Sequence, residues 1–497
     1  MKYNNPIIKG FYPDPSVCKV EDTYYLVCSS FQYFPGVPIF ESKDLINWKQ
    51  IGHCLTRKSQ IHLENVNSSG GVFAPTIRYN NGRFYMTTTN NTTNQNFYVW
   101  TDDIYSEWSD PIYVDQGGID PSLYFEDEKT YFISNGKDDY GINGIVQCEI
   151  DIETGKKLTS SRTIWAGSGG RFLEGPHMYK INGRYYLIAA EGGTEFGHMV
   201  TYARGDSPYG EFEGYKDNPV LTNRNLGGYE IQGVGHGDLI QDDDGNWWLI
   251  HLGFRQSGQW EAYHHLGREV FLTPINFREN GWFTAGYNGT TTKSFSINNI
   301  SRDVIQNEKK SYTFENTDWD KEWCYLRIPN SANYKFTRNK LSLRGTEITL
   351  DKEDSPTFIG LRQRDFNANI SCDISIFDGE SGITLYMDEN HHYDLAIRKK
   401  GNGYEVIKKL NIGDIKSVEK TVCLEKNNIS LVINASNRYY SFYIRSGDEE
   451  VYLGKAQTKY LSSEVAGGFT GVIIGLYAYG SSYCNYAEFT NFKCKYI

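Results

Sequence analysis

A fivefold internal repeat between residues 14 and 249 limits what this chain can fold into more than any other feature. Each unit opens with a polar residue beside Pro or Gly, then has an apolar strand, a tight turn and a second strand with paired aromatics. Asp14-Pro15-Ser16-Val17 leads to Tyr24-Tyr25-Leu26-Val27, and Ala74-Pro75-Thr76-Ile77 leads through Asn81-Gly82 to Phe84-Tyr85-Met86. Asp120-Pro121-Ser122-Leu123 leads to Tyr131-Phe132-Ile133, and Glu174-Gly175-Pro176-His177 leads through Asn182-Gly183 to Tyr185-Tyr186-Leu187. His236-Gly237-Asp238-Leu239 leads through Asp244-Gly245 to Trp247-Trp248-Leu249. The period, about 56 residues, is that of a four-stranded propeller blade. A two-sheet sandwich would also supply many strands, but it would not need five similar hairpins at this spacing. The reading is a five-bladed β-propeller over residues 1–297.

In a propeller the first strand of every blade lines the axis, so equivalent positions converge although far apart in sequence. Asp14, Asp120, Glu174 and His236 are then neighbours, and Ala74 at the fifth equivalent position leaves room for a ligand. Three acids and a histidine at one mouth are costly to gather without use, because crowded carboxylates shift one another's pKa. Asp14 stands between two prolines, which predicts an extended backbone that aims its carboxylate. The acidic turn Asp242-Asp243-Asp244-Gly245 reads as a solvated hairpin.

The aromatic content of 15%, with 38 Tyr and only 5 Met, favours β structure throughout. After residue 297 the repeat stops. Residues 298–310 are polar and poor in aromatics, as a linker would be, and 311–497 hold alternating stretches such as Ile370-Ser371-Cys372-Asp373-Ile374-Ser375-Ile376 that predict a β-sandwich. The fold class expected is all-β, a five-bladed β-propeller followed by a C-terminal β-sandwich. The formal charge of -11 argues against nucleic acid or an anionic membrane as partner. No apolar run is long enough to span a bilayer and the N-terminus lacks the core of a signal peptide, so a cytoplasmic location is expected. The nine cysteines include no C-x-x-C pair and suit reduced thiols.

The Phe-Tyr-Pro-Asp-Pro-Ser opening at residues 11–16, the Ile-Asp-Pro-Ser at 119–122, the Glu-Gly-Pro-His at 174–177 and the Gly-His-Gly-Asp-Leu at 235–239 together resemble glycoside hydrolase family 43. Residues 29–39 and Leu266-Gly267-Arg268-Glu269 resemble its β-xylosidase branch, and the C-terminal part resembles that branch's appended sandwich. One departure is Phe73, where the branch typically shows Trp; it bears on the balance between xylose and arabinose. The resemblance implies an inverting mechanism with Asp14 as general base, Glu174 as general acid and Asp120 as the carboxylate that orients the acid and raises its pKa. It matches Arg268 to a subsite arginine that hydrogen-bonds sugar hydroxyls, and Phe31 and Phe73 could stack on or wall the sugar. His236 could hold a water, a calcium ion or a structural hydrogen bond. No cofactor is required by this chemistry, calcium being the one ion left open.

The function expected is an exo-acting β-1,4-xylosidase acting on xylo-oligosaccharides, with α-L-arabinofuranosidase side activity on arabino-oligosaccharides, in a chain that self-associates as a homo-oligomer. The alternatives are an arabinofuranosidase or arabinan-degrading enzyme of the same family, and a carbohydrate-binding propeller without catalysis. A retaining fructan hydrolase would show Asn-Asp-Pro-Asn, which is absent. The Gly467-Gly468-Phe469-Thr470-Gly471 stretch either walls the site mouth with Phe469 or turns that ring into the sandwich core.

Overall fold

The computed structural model describes residues 1–297, 305–308, 310–316, 321–447, 449–480 and 486–497. Most of the expected linker at 298–310 lies outside the described residues, as does Cys484; the other eight cysteines are free thiols. Five four-stranded antiparallel sheets follow one another along the first part of the chain, each running through its strands in sequence order. The first comprises Ser16–Val20, Thr23–Val27, Gly36–Ser42 and Lys49–Leu55. The other four open with Thr76–Asn80, Ser122–Glu126, Glu174–Ile181 and Ile231–Gln241. These opening strands touch in a closed circuit, each against the next and the fifth against the first. The paired aromatics of the repeat sit on the second strands and are buried between neighbouring sheets: Tyr24 and Tyr25, Phe84 and Tyr85, Tyr131 and Phe132, Tyr185 and Tyr186.

The chain start closes the circuit. Lys2–Asn4 pairs antiparallel with Ser294–Ser296. Asn5 donates from Nδ2 to the Leu272 carbonyl at 2.9 Å and accepts from the Leu272 N–H at 2.9 Å, and the Ile7 N–H donates to the Val270 carbonyl at 2.8 Å. These bonds dock the N-terminal segment on Glu269–Phe277 of the fifth sheet. The Tyr12 N–H then donates to the Arg268 carbonyl at 3.0 Å, which delivers Asp14 beside Arg268.

Along the axis one carboxylate ties four sheets together. Asp238, fully buried, accepts from the Ser16 hydroxyl at 2.6 Å and the Val17 N–H at 3.0 Å in the first sheet. It also accepts Arg78 Nη1 and Nη2 of the second sheet at 2.8 and 3.2 Å, and the Tyr179 hydroxyl of the fourth. Burial would push its pKa up, but Arg78 and His177 outweigh burial and hold Asp238 far below the usual carboxylate range. Asp242, expected in a solvated turn, is buried instead: it accepts the N–H groups of Asp244 and Asn246 and the Trp248 indole N–H at 2.9 Å. An Asx turn satisfies the hairpin from inside, so only Asp243 and Asp244 face water.

The second part is a two-sheet sandwich. Its six-stranded sheet runs 357–362, 473–479, 380–388, 391–400, 403–412 and 415–424. The facing sheet of eight strands is centred on Ala368–Ser375 and Tyr486–Tyr496. Strict alternation puts Ala368, Ile370, Cys372 and Ile374 into one core with Leu385, Leu395, Leu431 and Leu476. The other face of the six-stranded sheet packs on the propeller side, where Phe11, Phe31 and Tyr33 join Leu326, Phe358, Tyr386 and Ile473 in one apolar cluster. Tyr33–Phe34 pairs with Tyr325–Leu326 across this junction, and Arg255 bridges Glu269 to Asp365 at 2.7 and 3.0 Å.

Removing Asp238 leaves the Arg78 guanidinium in the ring without its counter-charge. Asp238→Ala should therefore destabilise the protein by about 3–5 kcal/mol, the usual cost of breaking a buried ion pair from one side. Urea unfolding followed by tryptophan fluorescence measures it, and a loss under about 1 kcal/mol would show that the axis holds without this charge.

Candidate active site

Four sites of unusual backbone aim the polar groups at the top of the ring. Asp14 and Asp120 each immediately precede a proline at the entry to an opening strand, and both have φ of 55°. This corrects the extended conformation expected for Asp14. A following proline disfavours the right-handed helical region, but Asp tolerates the left-handed one because its short side chain finds local partners. The partner here is Ser29, whose hydroxyl donates to Asp14 Oδ2 at 2.5 Å. Glu174 begins its strand at a bulge, and His236, at φ 44°, sits in another bulge between Gly235 and Gly237. Bulges turn a side chain out of the sheet, which is how both reach the axis. Gly175 has φ 58°, and a Cβ there would lie 2.9 Å from the His236 ring, so only glycine lets the two strands cross this closely.

The expected residues do converge. Arg268, 5% exposed, donates through Nη1 to Asp14 Oδ1 at 2.8 Å and to Thr194 Oγ1 at 2.9 Å. His236 Nδ1 lies 4.0 Å from Asp14 Oδ1 and 3.9 Å from Asp120 Oδ2, so both carboxylates face the same ring nitrogen. The Gly175 N–H donates to Asp120 Oδ2 at 3.1 Å, which fixes Asp120 against the residue next to Glu174. Phe31 is 2% exposed at φ 50°, with the rings of Phe73 and Phe469 centred 5.4 and 6.0 Å away. Arg268 stands 5.8 Å from the ring centres of both Phe31 and Phe469. Ala74, at the fifth equivalent position, is buried.

Phe469 comes from the sandwich, so the Gly467–Gly471 stretch walls the site and does not enter the core. Its N–H donates to Ser69 Oγ at 2.8 Å and its carbonyl accepts Arg268 Nη2 at 3.4 Å. A cavity of about 440 Å³ opens here, lined by Phe172, Glu174, Thr194, His264, Arg268 and Phe469 among others. Ser29, Thr194, Phe172 and His264 are the groups that reading the sequence did not single out. Of these only Ser29 carried a signal, because it lies in the 29–39 stretch that resembled the xylosidase branch.

The electrostatics divide the three carboxyls. Burial pushes Asp14 up, but the Arg268 charge, with His236 and the Ser29 hydroxyl, outweighs it and holds Asp14 below the usual carboxylate range. Burial and then the Asp14 charge push Glu174 up to about 7, with Arg268 opposing. Asp120 is raised well above its ordinary value, by burial first and then by Glu174 and Asp14. Asp120 and Glu174 thus titrate as a pair that retains a proton near neutrality. Burial lowers His236 more than Asp14 raises it, so its ring is neutral at pH 7. Among the described residues no group of three or more His, Cys, Asp and Glu side chains is spaced to hold a metal ion.

One carboxyl held charged and another held protonated, in a pocket walled by aromatic rings, define a carboxylate-dependent glycoside hydrolase. Residues 3–283 match the family described as Glycosyl hydrolases family 43, and residues 311–495 match the beta xylosidase C-terminal concanavalin A-like domain. The chain belongs to glycoside hydrolase family 43, with that family's β-propeller and an appended concanavalin-like sandwich. It is 38% identical over 496 residues to a non-reducing end α-L-arabinofuranosidase of Bacteroides ovatus, covering 97% of this chain and 92% of the relative. It is 36% identical over 516 residues to a xylosidase/arabinosidase of Butyrivibrio fibrisolvens, covering 98% of both. Among solved structures, a xylan β-1,4-xylosidase from Bacillus halodurans superposes with a TM-score of 0.91 at 28% identity over 99% of both chains.

The short Ser29 bond favours the charged form of Asp14. Ser29→Ala should raise the Asp14 pKa, so that the acid limb of the pH profile for hydrolysis moves to higher pH while the alkaline limb stays in place. An acid limb that does not move would show that Ser29 does not hold this charge.

Proposed function

We propose that this chain is an inverting, exo-acting β-1,4-xylosidase that releases single xylosyl units from the non-reducing ends of xylo-oligosaccharides, with α-L-arabinofuranosidase activity at the same site. The observation that carries it is the opposite perturbation of Asp14 and Glu174: Asp14 is held ionised and Glu174 holds its proton up to about 7. Asp14 takes a proton from water on one face of the sugar while Glu174 gives one to the glycosidic oxygen. Beyond burial, the like charge that raises Glu174 is that of Asp14, not of Asp120 as the resemblance implied, and Asp120 positions Glu174 through the Gly175 N–H. Arg268 and His236 offer hydrogen bonds to sugar hydroxyls, and Phe31 and Phe73 wall the ring. No step is assigned to a metal. The Bacteroides arabinofuranosidase and the Butyrivibrio xylosidase/arabinosidase support a pentose glycone.

In this reading the five sheets are the blades of a five-bladed catalytic propeller spanning 1–297, residues 298–310 link it to the sandwich of 311–497, and the enzyme works in the cytoplasm as a homo-oligomer on short substrates. The second reading, an α-L-arabinofuranosidase proper, is favoured by Phe73 where the xylosidase branch carries Trp, and by the Bacteroides relative. Rates on the nitrophenyl β-xyloside and α-L-arabinofuranoside decide between them. NMR of a β-xyloside digest should show α-xylose as the first-formed anomer; β-xylose first would overturn inversion.

The roles of the two carboxyls separate by leaving group. A sugar alkoxide needs protonation, which general-acid catalysis supplies at about 10²–10⁴-fold, whereas a nitrophenolate leaves without it. Glu174→Ala should thus cripple xylobiose hydrolysis far more than nitrophenyl xyloside hydrolysis, and Asp14→Ala should damage both alike. In the wild type kcat/KM on xylobiose should fall as pH rises past about 7, where Glu174 loses its proton. Equal losses on both substrates for a folded Glu174→Ala protein would remove it from the acid role.

A further inference from the structure

The 440 Å³ cavity is lined by Glu174 and Arg268 but not by Asp14, Asp120 or His236. It therefore extends from the acid away from the base. On the proposed reading, which this inference rests on, the glycone lies between Asp14 and Glu174, so the cavity is where the departing sugar must sit. We propose that Phe172 and His264, the latter set by Glu464 of the sandwich, form the binding subsite for that leaving-group sugar ring.

Phe172 has the character of a sugar platform. It is a non-glycine residue at φ 53° and 59% exposed, two positions before Glu174, with the Arg171 guanidinium 5.1 Å from its ring centre. An aromatic in the left-handed region is strained and would relax unless the surrounding chain fixed it. The chain does fix it. Buried Glu191 accepts the Ser168 N–H at 2.7 Å, the Ser168 hydroxyl at 2.9 Å and the Gly170 N–H at 2.5 Å. The Arg171 carbonyl accepts the Gly192 N–H at 2.7 Å, while Arg171 Nε donates to the Gly192 carbonyl at 3.0 Å. A rigid loop thus holds one apolar face open to water on the wall of the cavity. A sugar's C–H face would cover that ring at little entropic cost, because nothing has to be ordered first.

His264 supplies the polar half. Its ring lies flat on Phe254, centres 3.8 Å apart at 12°, which fixes its plane. Nδ1 pairs with Glu464 Oε1 at 2.6 Å, and the other oxygen of Glu464 accepts the His264 N–H at 2.9 Å. The carboxylate holds the Nδ1 proton, so Nε2 is the nitrogen left for a ligand, and no hydrogen-bond partner for it is found among the described residues. Both His264 and Glu464 line the cavity with Phe172. A stacking ring and an oriented imidazole on one wall match the two parts of a pyranose, an apolar C–H face and a rim of polar hydroxyls. Because Glu464 belongs to Ser463–Ala466 of the sandwich, the second domain sets the preference for what leaves as well as walling what is cleaved.

The test compares xylobiose with methyl β-xyloside, whose methanol also needs the acid but carries no ring to bind. Phe172→Ala and His264→Ala should each lower kcat/KM on xylobiose by about tenfold, the worth of one ring face or hydrogen bond in a partly dry site. On methyl β-xyloside they should stay within about twofold of the wild type. Phe172→Trp should restore xylobiose hydrolysis, as should His264→Gln in part, which a merely structural role would not predict. The exposed Phe172 side chain can be cut back without threatening the fold, so that variant decides the matter even if His264→Ala does not fold. Equal losses on the two substrates, or an undiminished rate on xylobiose, overturn the subsite. A wild type inactive on both xylosides overturns the xylosidase reading and this inference with it.

Discussion

The Asp238 carboxylate is the charge around which the ring is assembled. Taking an ion out of water costs several kcal/mol unless its partners replace the lost hydration. Here the partners are a serine hydroxyl and an N–H from the first sheet, a guanidinium from the second and a phenol from the fourth. None of these strands can shift along its neighbour without stranding the charge. That fixes the register of four opening strands at one height, and the candidate site groups sit on those same strands or at the turns feeding them. His236 is two residues from Asp238, and Asp14 is two residues from Ser16. His177 joins the two layers: its Nδ1 stands 3.0 Å from Arg78 Nη2 below, and its ring packs edge-on to His236 at 6.2 Å. The placement of the upper groups thus leans on a buried lower layer through His177.

The upper layer uses the same forces to opposite effect. Asp14 and Asp120 are buried, Glu174 is half-buried, and Arg268 brings a guanidinium in among them. Arg268 bonds directly to Asp14 at 2.8 Å, so Asp14 takes most of its field; Glu174 feels it only as a weaker opposing influence. With Asp14 charged, ionising a second acid nearby must work against it in a medium of low effective permittivity. Burial raises both Glu174 and Asp120, and the direction of Arg268, which leaves Asp14 charged beside them, adds to it. Thr194 and the Phe469 carbonyl, which hold the other reaches of that guanidinium, matter for the same reason.

The repeat was legible because blades are local. A hairpin needs a turn and two alternating strands within some twenty residues, and those signals survive in one sequence. The convergence of Asp14, Asp120, Glu174 and His236 followed from symmetry alone. The Asp14 backbone did not. The rule for residues before proline excludes one region without choosing between the rest, and the choice was made by Ser29, fifteen positions later. The Arg78 and Asp238 pair spans 160 residues and has no local mark, since Arg78 sits in a strand where a solvated side chain would read the same way. Asp242 was misjudged for a related reason: a run of three acids suggests solvent, and only the fold shows that Trp248 brings its N–H to the first of them. Phe172 is hidden more deeply, for nothing in Arg171-Phe172-Leu173 announces a left-handed aromatic held by Glu191.

The sandwich reaches the site through Glu464 and through the close approach of the Gly467–Gly471 loop. A side chain at Gly468 would meet Ser69 Oγ at 2.4 Å, so the loop can lie against the propeller only without one. That approach lets Phe469 cover Phe31 and lets its carbonyl reach Arg268. Phe31 has the ring a sugar subsite wants, yet it is 2% exposed, because Phe11, Phe73 and Phe469 close round it. In the proposed function the glycone end is walled by Phe31, Phe73 and Phe469, rings drawn from both domains, and the cavity reaches from Glu174 toward the leaving group. A sugar held against such a wall has no room for a further unit beyond it, so it is a chain end. Exo action, in the proposed function, then needs no dedicated blocking element, because it follows from the interface that holds the two domains together.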